Sequence, residues 1–169
     1  KNGAPQHVNT AMPRDKPIGG STTQVTGTHF RPHGRVDIWM ENEVLLYEAT
    51  GPFNAEVFDC LAVAQRDYLL SLPLNGPWAS MCILRNSAMA TPDGVQRYTE
   101  LMQSPKPPNL EPVATAFVIG PEIEGGRIMA GHFTRVYTLI QRPFRICETK
   151  EEAQQWLDSV LQASRTQGG

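Results

Sequence analysis

Apolar and polar positions along this chain change period in a definite order. Val36-Asp37-Ile38-Trp39-Met40 alternates, as a half-buried strand does. Glu41-Asn42-Glu43 can turn, and Val44-Leu45-Leu46-Tyr47-Glu48-Ala49 supplies a second strand. So short a link demands an antiparallel hairpin, because a parallel pair needs a long crossover. Gly51-Pro52 ends the second strand.

The period then becomes helical. Asn54 is suited to cap a helix, and Phe53 before it pairs with Phe58 as a hydrophobic staple. Val57, Phe58, Leu61, Tyr68, Leu69 and Leu72 form one apolar face, and Pro73 with Asn75-Gly76-Pro77 stops it. Trp78 to Leu84 is apolar apart from Ser80, the pattern of a strand covered on both faces. Thr91-Pro92-Asp93 opens a second helix with Val95, Tyr98, Leu101 and Met102 in its stripe.

Ser104 to Pro112 holds four prolines and reads as a stiff connector. Val113 to Ile119 is another buried strand, ended by Gly120-Pro121. After Gly125-Gly126 a helix presents Ile128, Met129, Phe133, Val136, Tyr137 and Ile140; Phe144 to Glu148 is a short last strand. Thr149-Lys150-Glu151-Glu152 is a capping box, and Ala153, Trp156, Leu157, Val160 and Leu161 mark the final amphipathic helix. The order is ββαβαβαβα: an α/β domain with a mixed five-stranded sheet and helices on both faces, its last four strands broadly parallel.

Three segments follow: a flexible extension over 1–34, the domain over 35–163, and a fraying tail over 164–169. The extension is rich in Gly, Pro, Thr, Asn and Gln. Residues 1–35 carry five basic residues and one acid, so the remainder stands at −6 within a total of −2. An acidic domain of mixed surface charge has no electrostatic footprint for nucleic acid. No run approaches the ~18 apolar residues of a membrane span, and no secretory h-region opens the chain. Cys60, Cys82 and Cys147 lack CxxC spacing and sit in apolar stretches, which suits free thiols in a cytoplasmic protein.

Ligands of parallel sheets gather beyond the carboxyl ends of the strands. That edge collects Phe53, Asn54, Asn86, Ser87, Glu122 and Thr149 as candidate ligand or partner contacts. Other chemistry is thin. His29 and His33 have His-x3-His spacing without a cysteine or carboxylate to complete a metal shell, and His132 reads as a hydrogen-bonded or exposed histidine. Ser87, His132 and Glu122 lack a Gly-x-Ser-x-Gly elbow, so a hydrolase is a weak third reading. Gly120 to Gly126 brings glycines before a helix, but Glu122 and Glu124 argue against phosphate and read as exposed loop acids. Neither Walker nor dinucleotide spacing occurs; no metal, cofactor or catalytic residue is expected.

Element order and three stretches resemble the STAS superfamily, in particular its SpoIIAA-like or STAS/SEC14-like branch. The stretches are Glu48-Ala49-Thr50-Gly51-Pro52-Phe53-Asn54, Ala114 to Ile119, and Phe144-Arg145-Ile146-Cys147-Glu148-Thr149-Lys150-Glu151-Glu152-Ala153-Gln154-Gln155-Trp156-Leu157. The resemblance spans about residues 35–162. Members that regulate sigma factors carry a phosphorylatable serine in an Asp-Ser-Ser-Gly-like motif after the third strand. Here Arg85-Asn86-Ser87-Ala88-Met89-Ala90-Thr91 occupies that place, with Ser87 but neither the acid nor the glycine. The resemblance therefore implies a non-enzymatic regulatory or protein-interaction domain without an intact phosphoswitch. The alternative is a carrier or sensor of a small apolar or anionic ligand, as SEC14-like relatives suggest, with a pocket at the strand-end edge beside Tyr47, Phe53, Phe117 and Phe133. The unpaired edge of the opening hairpin would allow a homodimer.

Overall fold

The computed structural model describes residues 19–28 and 30–168. Six strands form one sheet in chain order: β1 (Gly20–Ser21), β2 (Arg35–Glu41), β3 (Val44–Thr50), β4 (Ala79–Arg85), β5 (Thr115–Val118) and β6 (Phe144–Cys147). The first two pairings are antiparallel and the remaining three parallel. Among the described residues there are four α-helices, α1 (Ala55–Ser71), α2 (Pro92–Gln103), α3 (Gly126–Leu139) and α4 (Lys150–Gln167), and two short 3-10 turns at Thr22–Gln24 and Pro108–Leu110. The class is the expected mixed α/β sheet, with one strand more than expected.

The added strand lies inside the segment read as an extension. Gly20 pairs with Ile38 and Ser21 with Asp37. Thr22 Oγ1 then accepts from the Val36 N–H at 3.0 Å, and the Tyr68 hydroxyl accepts from the Met40 N–H at 2.9 Å. The β2 edge, read as unpaired and open to a second copy, is therefore satisfied from within the chain. Most of residues 1–34, including His29, lie outside the described residues. At the other end α4 runs on to Gln167, past Ser164; no proline or glycine interrupts it before Gly168.

Sequential parallel strands joined by right-handed crossovers put successive helices on the same face. One face packs Val57, Phe58, Phe133, Val136 and Tyr137 of α1 and α3 over Ile38, Ala49, Leu84 and Phe117. The other receives α4 alone, through Ala153, Leu157 and Leu161 against Leu46, Met81 and Ala116. The alternation along each strand decides which residue serves which face.

The local signals act as their chemistry requires. Asn54 Oδ1 accepts from the Val57 N–H at 3.2 Å, Thr91 Oγ1 from Gly94 at 3.1 Å, and Thr149 Oγ1 from Glu152 at 3.2 Å. The Phe53 and Phe58 rings lie 5.9 Å apart, as a staple should place them. Near these caps α1 and α2 converge: a Cβ on buried Gly94 would sit 3.4 Å from both Asn54 and Phe58. Away from that pinch α2 leans on α1 and α3 and stands off the sheet.

Candidate functional site

The carboxyl edge of the sheet is bonded shut. The Phe53 N–H donates to the Met89 carbonyl at 2.8 Å and the Thr91 N–H to the Phe53 carbonyl at 3.0 Å. Asn86, at φ 63°, turns the chain after β4 and donates its side-chain amide to the Gly51 carbonyl at 2.7 Å. Ser87 is 1% exposed; its hydroxyl donates to Glu124 Oε1 at 3.0 Å and accepts from the Met89 N–H at 3.1 Å. The Ala88 and Glu124 N–H groups close the join to the loop after β5, donating to the Glu124 and Asn86 carbonyls.

The expected edge residues thus become joinery. Phe53, Asn86 and Ser87 meet in one network with Gly51, Met89 and Glu124. Asn54 caps α1 and also holds the preceding loop, accepting from the His33 N–H at 2.9 Å and donating to the Arg31 carbonyl at 3.0 Å. Glu122 is exposed, and its carboxylate folds back over Gly120. Thr149 serves α4, on the opposite face. His132 is exposed. Among the described residues no cluster of three His, Cys, Asp or Glu side chains could hold a metal ion.

The space in the molecule lies elsewhere. Where α2 stands off the sheet, a cavity of about 580 Å³ remains between them, within the roughly 300–1,000 Å³ typical of small-molecule sites. Its floor is the α1–α3 face of the central strands, where Ala49, Ser80 and Cys82 are small enough to leave room. Tyr47, Phe53, Phe117 and Phe133, the four aromatics singled out in the sequence, all line it.

Its blind end is formed by Phe53, Phe58 and Leu84, all buried beneath the knitted edge loops. Its exposed lining residues, Arg66, Leu70, Ser104, Pro105 and Pro107, belong to the second half of α1 and to the proline-rich connector. The opening consequently faces the amino ends of the parallel strands, opposite to the strand-end edge expected from the sequence. The reason is in the backbone: at the carboxyl edge loop groups bond to one another, whereas at the amino edge the connector passes over the gap. Trp78 Nε1–H, donating to the Asn109 carbonyl at 3.0 Å, ties that connector to the start of β4.

Polar groups inside the cavity pair with each other. The Tyr98 and Tyr137 hydroxyls are 2.5 Å apart, the Tyr47 hydroxyl donates to Gln65 Oε1 at 2.7 Å, and Ser80 and Thr115 share a bond of 2.7 Å. Among the described residues no buried side-chain nitrogen or oxygen lacks a partner. Burial pushes the phenols of Tyr47, Tyr98 and Tyr137 far above their ordinary range and the Cys82 thiol up to about 12. The lining is thus apolar or neutral over most of its extent.

Besides the exposed Arg66, two half-buried cations break that neutrality near the opening. Lys106 Nζ donates to the Leu101 and Ser104 carbonyls at 3.0 and 3.3 Å. Arg142 donates from Nη1 to Thr115 Oγ1 at 3.4 Å and lies 5.7 Å from the Tyr137 ring centre. Burial, reinforced by the Arg142 charge, lowers the Lys106 ammonium from its ordinary value. Sequence reading missed both residues: each sits in a short link beside a proline, with no period to mark it.

No family model and no curated protein matches the chain. Among solved structures it is similar to an uncharacterised DUF3478-family protein with a SpoIIAA-like fold from Shewanella loihica PV-4. The identity is 15%, the TM-score 0.51, and the match covers 78% of this chain and 99% of that one. At that identity the likeness speaks for the fold alone: the chain has a SpoIIAA-like fold, as the element order suggested.

Proposed function

We propose that the domain binds a small apolar molecule in the cavity beneath α2, as a carrier or sensor rather than an enzyme. The observation that carries this reading is the 580 Å³ cavity, lined by apolar side chains and internally satisfied polar ones. A wall that is apolar or internally bonded over most of its extent recognises shape and apolar surface, and burial of that surface supplies the affinity. This reverses the order of the two readings drawn from the sequence. Cys60, Cys82 and Cys147 are free thiols, which suits a reducing compartment, so the proposal places the protein in the cytoplasm. No helix among the described residues is long and apolar enough to cross a membrane.

Titration of the full chain with Nile red, a neutral apolar dye, tests the proposal. Saturable binding should appear, and Cys82→Phe, which inserts a ring into the cavity floor, should abolish it while leaving the circular dichroism spectrum unchanged. Absence of saturable binding, or binding indifferent to Cys82→Phe, would overturn the reading.

The interaction-domain reading keeps one supporting observation. Ile128 and Leu139 are 66% and 52% exposed, and their separation of about three turns puts them on one outer stripe of α3. Ile128→Glu should then reduce capture of a protein partner without changing dye binding.

A further inference from the structure

Three cations line the cavity, and they differ in their surroundings. Arg66 has Asp67 at 3.6 Å and points into solvent, so its charge is already answered. Lys106 and Arg142 have no carboxylate within ion-pairing distance among the described residues. Both are only partly exposed. Lys106 feels Arg142 more strongly than it feels Glu111, the one acid acting on it. Two like charges facing one cavity, in a domain whose net charge is otherwise negative, cost energy that an anion between them would recover.

The donor count agrees. An ammonium has three protons, and the Leu101 and Ser104 carbonyls take two of those on Lys106. A guanidinium has five, and Arg142 spends one of them on the Thr115 hydroxyl. Ser80, bonded to Thr115, adds a second hydroxyl at the same end of the cavity. The far end, at Phe53, Phe58 and Leu84, offers carbon alone.

We propose that the ligand is an amphipath, an apolar chain with a compact anionic head, carboxylate or phosphate ester. Its chain lies under α2 toward Phe53, and its head lies at the opening between Lys106 and Arg142. The proposal rests on the carrier reading and gives that site its ligand class. Arg142 fits the head better than a lysine would, since its planar fork can hold two oxygens at once.

Displacement of Nile red from the full chain by dodecanoate, dodecyl phosphate and dodecan-1-ol, at one ionic strength, tests it. At least one of the two anions should bind roughly tenfold or more tightly than the alcohol, the difference a charge-assisted hydrogen bond supplies. Which anion leads identifies the head. Lys106→Gln with Arg142→Gln should erase the preference and leave the alcohol's affinity in place, while Arg66→Gln should change neither. Equal binding of alcohol and both anions by the wild-type chain overturns the headgroup assignment and leaves the carrier reading standing. No displacement by any of the three, with no dye binding, overturns both.

Discussion

Ser87 and Glu124 are joined by a hydrogen bond of 3.0 Å that links the loop after β4 to the loop after β5. Because Ser87 also accepts from the Met89 N–H and is 1% exposed, its hydroxyl has two partners and no access to solvent. Ser87 is thus part of the closure over the cavity's blind end.

Ser87→Ala should therefore cost about 1–2 kcal/mol of folding stability, the loss of a charged hydrogen bond with the Met89 N–H left unanswered. Ser87→Asp should cost more, because it buries a second negative charge beside Glu124. Urea denaturation of the two variants measures both. A stable Ser87→Asp protein would return the site to the list of switches.

Much of this fold is legible in the sequence because its signals are local. Asn54, Thr91 and Thr149 stand before helices they cap, and the β2–β3 turn is too short for any connection except a hairpin. Gly20–Ser21 escapes notice because two residues carry no period, and its pairing with β2 is a tertiary event. The cavity was half legible. Its four aromatics are readable as apolar positions, but its opening depends on how far α2 stands from the sheet. Lys106 and Arg142 are brought to one place only by the finished fold.

The Tyr98–Tyr137 pair bonds across α2 and α3 with its oxygens 2.5 Å apart. Tyr98→Phe should cost about 1–3 kcal/mol, since it leaves the buried Tyr137 hydroxyl without its partner. The double change to phenylalanine should cost less than the sum of the two single ones, because it removes both members of the pair. A double-mutant cycle in urea reads the coupling. Additive losses would show that the two hydroxyls act independently.

Stability should fall steeply in alkali. Unfolded phenols ionise near 10.0, whereas burial keeps Tyr47, Tyr98 and Tyr137 protonated well above that value. Below pH 10 both states hold these protons and their contribution is constant. Above it the unfolded chain binds fewer protons than the native one, so the slope of stability with pH is negative. Each retained proton contributes at most about 1.4 kcal/mol per pH unit. Urea midpoints measured from pH 8 to pH 11.5 should be flat through the lower part of the range and then drop, less steeply for Tyr47→Phe.

The β2 edge gives a prediction about self-association. Its outward N–H groups at Val36 and Met40 are answered by the Thr22 and Tyr68 hydroxyls, and Gly20–Ser21 pairs between them. Removing residues 1–22 takes away β1 and the Thr22 hydroxyl while leaving the principal hydrophobic core intact. The edge then presents Val36 and its neighbours as a free template, the condition under which strands of separate molecules pair. The truncated chain should form concentration-dependent dimers by light scattering, more so when Tyr68→Phe frees the Met40 N–H. The full chain should dimerise less at equal concentration. Equal self-association of the two chains would mean that β1 does not guard this edge.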